Sequence, residues 1–495
     1  MPIDILRLNN CKGFKDVTLE LKPLTLLLGP NSSGKSTLCK MLVALSKVHK
    51  RGGEPSLQFD DIDALDLGSY ADLVHSESSE APVTIGIGVP SGYVEFGFGG
   101  GRGKENPSIS QSSLTHINIF ERDTSIIAKN ETIDGSTVEV NLPNNVNWNI
   151  IKQVSGHETG KLYSRRSEDY WSGPTGQPYE LSFAGLRLKS LITVSSDDKT
   201  YNAEYPRVSF NEISTILSRT SYLRPDREAP RRVYYRHIEN GKTAIGDRGE
   251  GTAWYLHENW DKAVCTYCFP PPTSILKDAK EQLLELSNRV PEEISLGDAL
   301  VFWLRRLGLV SHIETSMPLD VKNTLNEAIK VNLGVTLGAR VKPNAPLKDL
   351  PDLGFGVSQA LPVLVAGLMT PDAGLLIVDQ PEAELHPLPQ AELADFFCSM
   401  VKCGQSVLIE THSEEIFHRL RLRAEQDADL ASKIAVYFID APGVDSQGDF
   451  GCKIPKLIPL DEGAEFHWPD EFLSSGIEVE QQIRAARVAK EKEGR

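Results

Sequence analysis

Apolar and polar positions change rhythm several times along the chain, and each change predicts a different kind of structure. Residues 2–8 and 16–22 alternate with the two-residue period of half-buried strands, and 23–28, polar only at Thr25, reads as a buried strand that stops at Gly29. A helical run over 37–48 follows at once. Arg51-Gly52-Gly53-Glu54-Pro55 reads as a linker, and 65–75 as a turn into a short helix. From about 82 to 210, short alternating segments such as 83–89 and 137–142 predict antiparallel sheet, with glycine-rich 97–103 as a mobile hairpin tip. Three stretches, 275–286, 296–309 and 319–331, carry apolar residues at three- and four-residue spacing and predict helices. The last block alternates strand 374–378, helix 390–401, strand 405–409, helix 414–423 and strand 433–439, which implies a parallel sheet covered by helices. Residues 481–495 are charged and read as a fraying end.

The junction after the third strand carries chemistry. Gly29-Pro30-Asn31-Ser32-Ser33-Gly34-Lys35-Ser36 has the spacing G-x-x-x-x-G-K-S of a phosphate-binding loop, with Thr37 opening the helix behind it. The two glycines let the backbone fold tightly, so successive N–H groups point inward at a helix N-terminus and cradle phosphate oxygens. Lys35 reaches the β- and γ-phosphates, and the Ser36 hydroxyl holds Mg²⁺. Strand, loop and helix occur in the order the motif requires, so the chain is read as binding a nucleoside triphosphate.

Composition narrows the setting. The chain has 495 residues, enough for two or three domains, with 40% hydrophobic and 24% charged content. No apolar run approaches the ~20 residues of a membrane helix, and the first eight residues lack a signal-peptide layout. The expectation is a soluble, cytoplasmic protein with no membrane partner. A net charge of −16 argues against a uniformly basic nucleic-acid binder and leaves local basic patches open. Seven cysteines form no paired framework. Cys265-Thr266-Tyr267-Cys268 is a lone CxxC, with Cys398 and Cys403 farther off in a helical pattern, so free thiols are expected rather than zinc.

Three features of the last block complement the loop at Gly29. Leu375-Leu376-Ile377-Val378-Asp379 is a buried strand ending in a carboxylate that can hold Mg²⁺ through water; without the phosphate loop it would read as a turn cap. Ile409-Glu410-Thr411-His412-Ser413 sets a histidine just past the next strand, within reach of a γ-phosphate. Gly354-Phe355-Gly356-Val357-Ser358-Gln359 is a small-residue turn opening an apolar helix, whose N–H groups and Ser358 hydroxyl can receive a phosphate.

Together these residues resemble the ABC/SMC-type ATPases. More narrowly, they resemble the stand-alone prokaryotic AAA-type ATPases related to the overcoming-lysogenization-defect (OLD) proteins. The subgroup shares Gly354 to Pro362, Asp379-Gln380-Pro381-Glu382-Ala383-Glu384-Leu385-His386-Pro387 and Glu410-Thr411-His412-Ser413-Glu414. It also shares Asp66-Leu67-Gly68-Ser69-Tyr70, Tyr222 to Pro230, Gly246 to Glu250 and His467 to Phe472. The resemblance covers roughly residues 1–80 and 345–475 and implies an α/β fold: an ABC-type P-loop head with a mixed, largely parallel sheet. The inserted β-rich arm, which it does not cover, and the helical segment are read from the pattern. The resulting division is 1–80 and 341–475 for the two parts of the head, 81–210 for the arm, 211–340 for a mainly helical segment and 476–495 for a charged tail. The resemblance further implies ATP and Mg²⁺ as cofactors. A homodimer or higher oligomer is implied too, in which Gly356, Ser358 and Gln359 of one copy face the phosphate loop of another. Asp379 takes the metal-ligand position, Glu384 to Pro387 the dimer-contact loop and His412 the switch position. Gln58 is the candidate for the glutamine that such heads place after the first helix.

Gln380 departs from most ABC-type heads, which have a water-polarising glutamate after the metal-binding aspartate. A positioned general base is worth roughly 10²–10⁴-fold in rate, so the expectation is slow hydrolysis and a long-lived closed state, with Glu382 or Glu410 as the alternative carboxylate. Arg224, Arg227, Arg231, Arg232 and Arg236 crowd a segment with Tyr222, Tyr234 and Tyr235. That mixture suits either nucleic-acid contact or a structural segment paired to Asp226 and Glu228, and the resemblance favours the second. Arg248 and Glu250, beside Gly246 and Gly249, are candidates for a subunit contact. Glu425 to Asp429 sits in a charged loop rather than at the strand end a Toprim nuclease site needs. Any nuclease is therefore expected on a separate chain. ATPase subunits of this look serve anti-phage systems such as Septu, PARIS and retron-linked modules, where they control an effector, and DNA is a further candidate partner. The alternatives are an SMC-like DNA-maintenance ATPase, for which a long heptad repeat would speak and none is visible, and a scaffold with almost no turnover.

Overall fold

Parallel strands drawn from both ends of the chain make the centre of the molecule. The computed structural model describes residues 3–51, 56–58, 65, 67–75, 81–100, 111–121, 147–151, 159–165, 179–184, 187–194, 200–202, 207–239, 241–269, 290–317, 335–439 and 455–458. The chain opens with a hairpin, β1 (Ile5–Cys11) and β2 (Phe14–Glu20), then the wholly buried strand β3 (Leu24–Leu28) and helix α1 (Lys35–Arg51). After β4 (Ser56–Gln58) comes α2 (Tyr70–Leu73), started by a capping box in which Ser69 and Asp72 satisfy each other's backbone N–H. Antiparallel strands follow: β5 (Val83–Val89), β6 (Gly92–Gly100), β7 (Gln111–Glu121), β8 (Asn147–Ile151), β9 (Thr159–Arg165), β10 (Tyr179–Ala184), β11 (Arg187–Val194) and β12 (Thr200–Asn202). Then come α3 (Arg207–Ser218), β13 (Thr220–Leu223), β14 (Ile238–Glu239), β15 (Lys242–Thr243), α4 (Thr252–Asn259), β16 (Ala263–Thr266), β17 (Glu292–Ser295) and α5 (Leu296–Arg306). Strands β18 (His312–Ser316), β19 (Thr336–Arg340) and β20 (Lys348–Asp349) precede α6 (Phe355–Met369), β21 (Leu375–Asp379), α7 (Pro387–Lys402) and β22 (Ser406–Glu410). The described chain closes with α8 (Glu414–Gln426), α9 (Ala428–Ser432), β23 (Ile434–Ile439) and β24 (Pro455–Ile458).

The central sheet runs β13-β21-β22-β3-β23-β24, parallel except for β24. It is the α/β arrangement expected from the last block, with β3 threaded between β22 and β23. Period-two alternation divides its side chains between two cores. Leu24, Leu26, Leu28, Leu376 and Val378 face α4 to α8, while Leu27, Leu375 and Ile377 face α1, α3 and the antiparallel sheet. The Tyr437 hydroxyl ties the two sheets, donating to Glu20 O at 2.9 Å and accepting from Glu20 N–H at 3.0 Å.

The antiparallel sheet runs β12-β11-β10-β9-β8-β7-β6-β5-β1-β2, with β4 on β7. Because β5 pairs with β1 from Ile5↔Gly88 to Asn9↔Thr84, the strands from residue 83 onward extend the sheet that the first hairpin begins. The division at residue 80 therefore falls inside one sheet. Gly97 to Gly100, expected as a hairpin tip, lie in β6, paired with β5 and β7. Glycine backbones pair as any others do, and buried Phe96 and Phe98 anchor the strand. Residues 101–103, the segments 137–142, 275–286 and 319–331, the linker 52–55, Asp66, 467–472 and the tail lie outside the described residues.

Behind the central sheet, α5, α7 and α8 share a buried ionic cluster. Asp395 accepts from Arg306 Nη2 at 2.6 Å and from Arg423 Nε and Nη2 at 2.7 and 2.8 Å, while Glu392 accepts from Arg306 Nε at 2.5 Å and Arg419 Nη2 at 3.2 Å. Breaking one partner of such a network leaves uncompensated buried charge. Asp395→Asn is expected to destabilise the chain by ~3–5 kcal/mol, read by urea unfolding; a loss below about 1 kcal/mol would show the cluster to be solvated.

Candidate functional site

The phosphate loop, Asp379, Gln380, Glu382 and His412 converge where the parallel strands end, while Gln58 and the 354–359 turn lie apart from them. β3 delivers the chain to Gly29, whose φ of 145° and lack of a side chain are both required: a Cβ there would lie 2.1 Å from Ile439 O. Ser32 (φ 62°) and Gly34 (φ 100°) complete the tight curve, with Asn31 and Ser32 exposed at the tip and Ser33 buried. Thr37 N–H donates to Gly34 O at 3.0 Å, starting α1. The Lys35 ammonium lies inside the curve, donating to Gly29 O at 2.9 Å and Pro30 O at 2.8 Å.

At the foot of the loop two strand ends present carboxylates in register. Asp379 of β21 pairs with Glu410 of β22, and Glu410 in turn with Leu27 of β3. Asp379 is 2% exposed and Glu410 3%. Ser36 Oγ donates to Glu410 Oε1 at 2.8 Å, and the Tyr222 hydroxyl, from β13, donates to Asp379 Oδ2 at 2.7 Å. The remaining oxygens, Asp379 Oδ1 and Glu410 Oε2, are buried without a hydrogen-bond partner. Burial, and then the Glu410 charge, push the Asp379 carboxyl up to about 7, and burial pushes Glu410 up as well. Burying two carboxylates with unpartnered oxygens is costly unless a cation joins them. Two carboxylates and a hydroxyl are the oxygen donors a hard divalent cation takes, so these residues fit Mg²⁺. The Cys39 thiol, one turn after Ser36 on α1, lies within 4.8 Å of both carboxylates.

Gln380 follows with φ 47°, its N–H donating to Glu410 O at 2.7 Å. The buried Arg227 guanidinium holds this bend through Gln380 O at 2.9 Å and Asp379 O at 3.3 Å. Its Nε donates at 3.2 Å to Oε1 of Gln359 on α6, so one arginine joins the 354–359 turn's helix to the β21 end. Burial lowers its pKa to about 10, which leaves it cationic at neutral pH. Glu382 Oε1 accepts the His412 N–H at 2.8 Å, and its Oε2 is buried and unpartnered. Burial raises Glu382; burial, then the Lys35 charge, lowers His412, which keeps its imidazole neutral at pH 7.

The 354–359 turn forms the start of α6. Gly354 and Phe355 are exposed, and Gly356 packs so close to Leu385 and Glu384 O that a Cβ would sit 3.2 and 3.3 Å from them. Ser358 Oγ donates to Phe355 O at 2.7 Å and Gln359 is buried, so the outward groups of this turn are its backbone rather than the serine hydroxyl. Gln58 lies in β4, paired to β7 of the antiparallel sheet. The arginine-rich segment takes the structural form. Arg224 pairs with Asp226, Arg231 with Glu228, Arg232 with Asp349 and Asp352, and Arg236 with Glu258. Arg248 and Glu250 bond within the chain, Arg248 N–H to Glu250 Oε2 at 3.0 Å and Arg248 Nε to Asp226 O at 3.0 Å. Cys403, distant from the CxxC in sequence, meets Cys265 in the fold, and no disulfide joins the described cysteines. Sequence reasoning gave Cys39 no role and placed Tyr222 and Arg227 only in the arginine–tyrosine segment and the shared stretch from Tyr222 to Pro230. Its nearest signal was the spacing of Ser36 and Cys39 on one helix face.

The family model for the AAA ATPase domain matches residues 1–417. No curated protein matches the chain. Among solved structures, similarity extends to the Smc head bound to the C-winged helix domain of ScpA, at 10% identity over 94% of this chain and 99% of that one, with a TM-score of 0.39. It extends also to the Smc head with an extended coiled coil bound to the C-terminal domain of ScpA from Pyrococcus furiosus (10% identity, 97% and 99% covered, TM-score 0.36). The SMC head domain from Thermotoga maritima follows (10%, 93% and 100%, TM-score 0.31). Likenesses this remote add nothing to the domain match. No described helix is long and apolar enough to cross a membrane.

The raised carboxyls make a pH prediction. The folded chain keeps protons on Asp379 and Glu410 that the unfolded chain has already released, so the folded state binds more protons. Stability of the metal-free protein is expected to fall as pH rises from the ordinary carboxylate range through about 7, and Asp379→Asn to flatten that slope. Urea titrations in chelator on both sides of this window read it; a wild-type slope equal to that of Asp379→Asn would show the pair to be solvated.

Proposed function

The chain belongs to the AAA ATPase domain family, and from that premise we propose that it binds ATP with Mg²⁺ and hydrolyses it slowly as a nucleotide-held clamp. The observation that carries this reading is the junction of Ser36, Glu410 and Asp379 beneath the phosphate loop, with two buried oxygens lacking partners. The loop's N–H groups and Lys35 hold the β- and γ-phosphates, exchanging the Lys35 bonds to Gly29 O and Pro30 O for phosphate oxygens. Ser36, Asp379 and Glu410 hold Mg²⁺, which when bound neutralises charge on those phosphates. Tyr222 fixes Asp379 Oδ2 and so turns Oδ1 inward.

Gln380, whose amide cannot accept a proton as a base, supports holding over turnover. Glu410 is committed to Ser36, so Glu382, with Oε2 unpartnered and Oε1 on the His412 N–H, is the carboxylate we assign to polarising water. His412, close to Lys35 and the Gly29 backbone, faces the γ-phosphate position. The exposed start of α6 at Gly354 and Phe355 leaves the backbone of Gly356 to complete the site of a second copy, and Glu384 to Pro387 flank that contact. The 1–80 and 341–475 segments act as the head in this reading. The resemblance to ATPase subunits of anti-phage systems supports a separate effector chain, a nuclease, as the partner the clamp restrains or licenses.

Lys35→Ala is expected to abolish ATP binding in calorimetry and nucleotide-driven dimerisation in light scattering together; a variant that still dimerised around ATP would remove the loop from the mechanism. Glu382→Gln should retain ATP binding and lower phosphate release by ~10²-fold or more. Wild-type turnover at the median enzyme rate of about 10 s⁻¹ or faster would end the clamp reading. Pull-down of the full chain tests the effector, and recovery of no second chain from its native host would count against it.

A further inference from the structure

The group least explained by nucleotide chemistry is Cys39. Its thiol is fully buried on α1, one turn after Ser36, and its sulfur lies within 4.8 Å of an oxygen of Asp379 and one of Glu410, which in turn lie within 4.8 Å of each other. Mg²⁺ has no use for sulfur, whereas a soft thiolate beside two carboxylates is a donor set for Zn²⁺ and its thiophilic relatives. The independent observation is the pair of orphaned oxygens: Asp379 Oδ1 and Glu410 Oε2 belong to side chains more than nine-tenths buried and have no hydrogen-bond partner.

We propose that Cys39, Asp379 and Glu410 form a three-ligand site for a thiophilic divalent cation, Zn²⁺ foremost, that overlaps the Mg²⁺ position and blocks nucleotide turnover when filled. In a tetrahedral zinc site, metal–sulfur and metal–oxygen bonds of ~2.3 and ~2.0 Å put ligand atoms roughly 3.5 Å apart, so closing on the ion takes shifts of at most about an ångström. Three protein ligands leave a fourth position for water, the stoichiometry of open zinc sites. Mg²⁺, a hard cation, takes oxygen donors and leaves the Cys39 sulfur aside. As the metal–sulfur bond forms, the thiol proton passes to water. Zinc so held occupies the carboxylate oxygens that Mg²⁺ needs. The Tyr222 hydroxyl on Asp379 Oδ2 and Ser36 Oγ on Glu410 Oε1 support the ligands from behind. The inhibitory consequence rests on the ATPase reading above; the binding of the cation does not.

The test is a Co²⁺ titration of the chelator-treated full chain, read by the near-ultraviolet thiolate-to-cobalt charge-transfer absorption, followed by Zn²⁺ competition. Wild type is expected to show the band and lose it to zinc. Cys39→Ser and Cys39→Ala should lack it, and a Cys265→Ser, Cys268→Ser double variant should keep it. In parallel, the zinc concentration that halves Mg²⁺-dependent phosphate release should rise by at least ~10-fold in the Cys39 variants, each measured against its own zinc-free rate, since even outer-shell partners of a metal are worth roughly 10–100-fold. No band in wild type, a band that survives both Cys39 substitutions, or one lost with Cys265 and Cys268 overturns the site. Unchanged zinc sensitivity overturns the inhibition. If wild type hydrolyses no ATP, the ATPase reading fails while the cobalt titration still decides the site.

Discussion

Two carboxylates buried side by side are the constraint around which this molecule is arranged. Asp379 and Glu410 end adjacent parallel strands in register, so the sheet sets the spacing of their backbones, and Tyr222 and Ser36 hold the side chains in place. Each has one oxygen satisfied, by Tyr222 and by Ser36, and one left bare. In a low-dielectric interior such an arrangement is unfavourable until a cation arrives, and the raised Asp379 carboxyl expresses that cost. The phosphate loop begins at the end of β3 in the same sheet, so the carboxylate pair and the loop are held in one frame.

The supports for this pair come from the arginine-rich segment, for which the resemblance favoured a structural role. β13 extends the parallel sheet by one strand and delivers Tyr222 beside Asp379, and the bend after it carries Arg227 under the backbone of Asp379 and Gln380. Arg227 reaches at the same time to Gln359, so one planar, cationic side chain joins α6 to the backbone of Asp379 and Gln380. Gln380 in the left-handed region makes the bend tight enough for its N–H to bond Glu410 O, which locks the two strand ends to each other. An arginine segment with the composition of a nucleic-acid contact is thereby taken up in ion pairs within the chain and in holding the backbone at Asp379 and Gln380.

The two hydrophobic cores explain why the first and last blocks must fold together. β3 lies between β22 and β23, hundreds of residues later in the chain, and its leucines alternate between the helices behind the sheet and the α1 layer in front. The antiparallel sheet grows directly from β1, so it shares the front core instead of standing apart, and the Tyr437–Glu20 bonds fasten the layers. Rigid packing of this kind keeps the loop, the strand ends and α6 in one frame.

Period and spacing in the chain were enough to determine the local elements. The buried strand into Gly29, the G-x-x-x-x-G-K-S loop, the α1 helix and the alternating strands and helices of the last block all appear where the hydrophobic pattern put them, because each depends on contacts a few residues apart. The glycines at 97–100 misled for the opposite reason: without side chains they carry no pattern, and only pairing to β5 and β7 makes them strand. Whether Gln58, Ser358 and the arginines face the site was likewise beyond local rules, since it depends on which strand each neighbours. Tertiary structure alone decided that Glu410 meets Ser36, that Tyr222 and Arg227 serve Asp379, and that Cys39 closes the group. Strand order across a parallel sheet is fixed by side-chain burial between distant segments, and it is that order which brings single residues from four parts of the chain to one point.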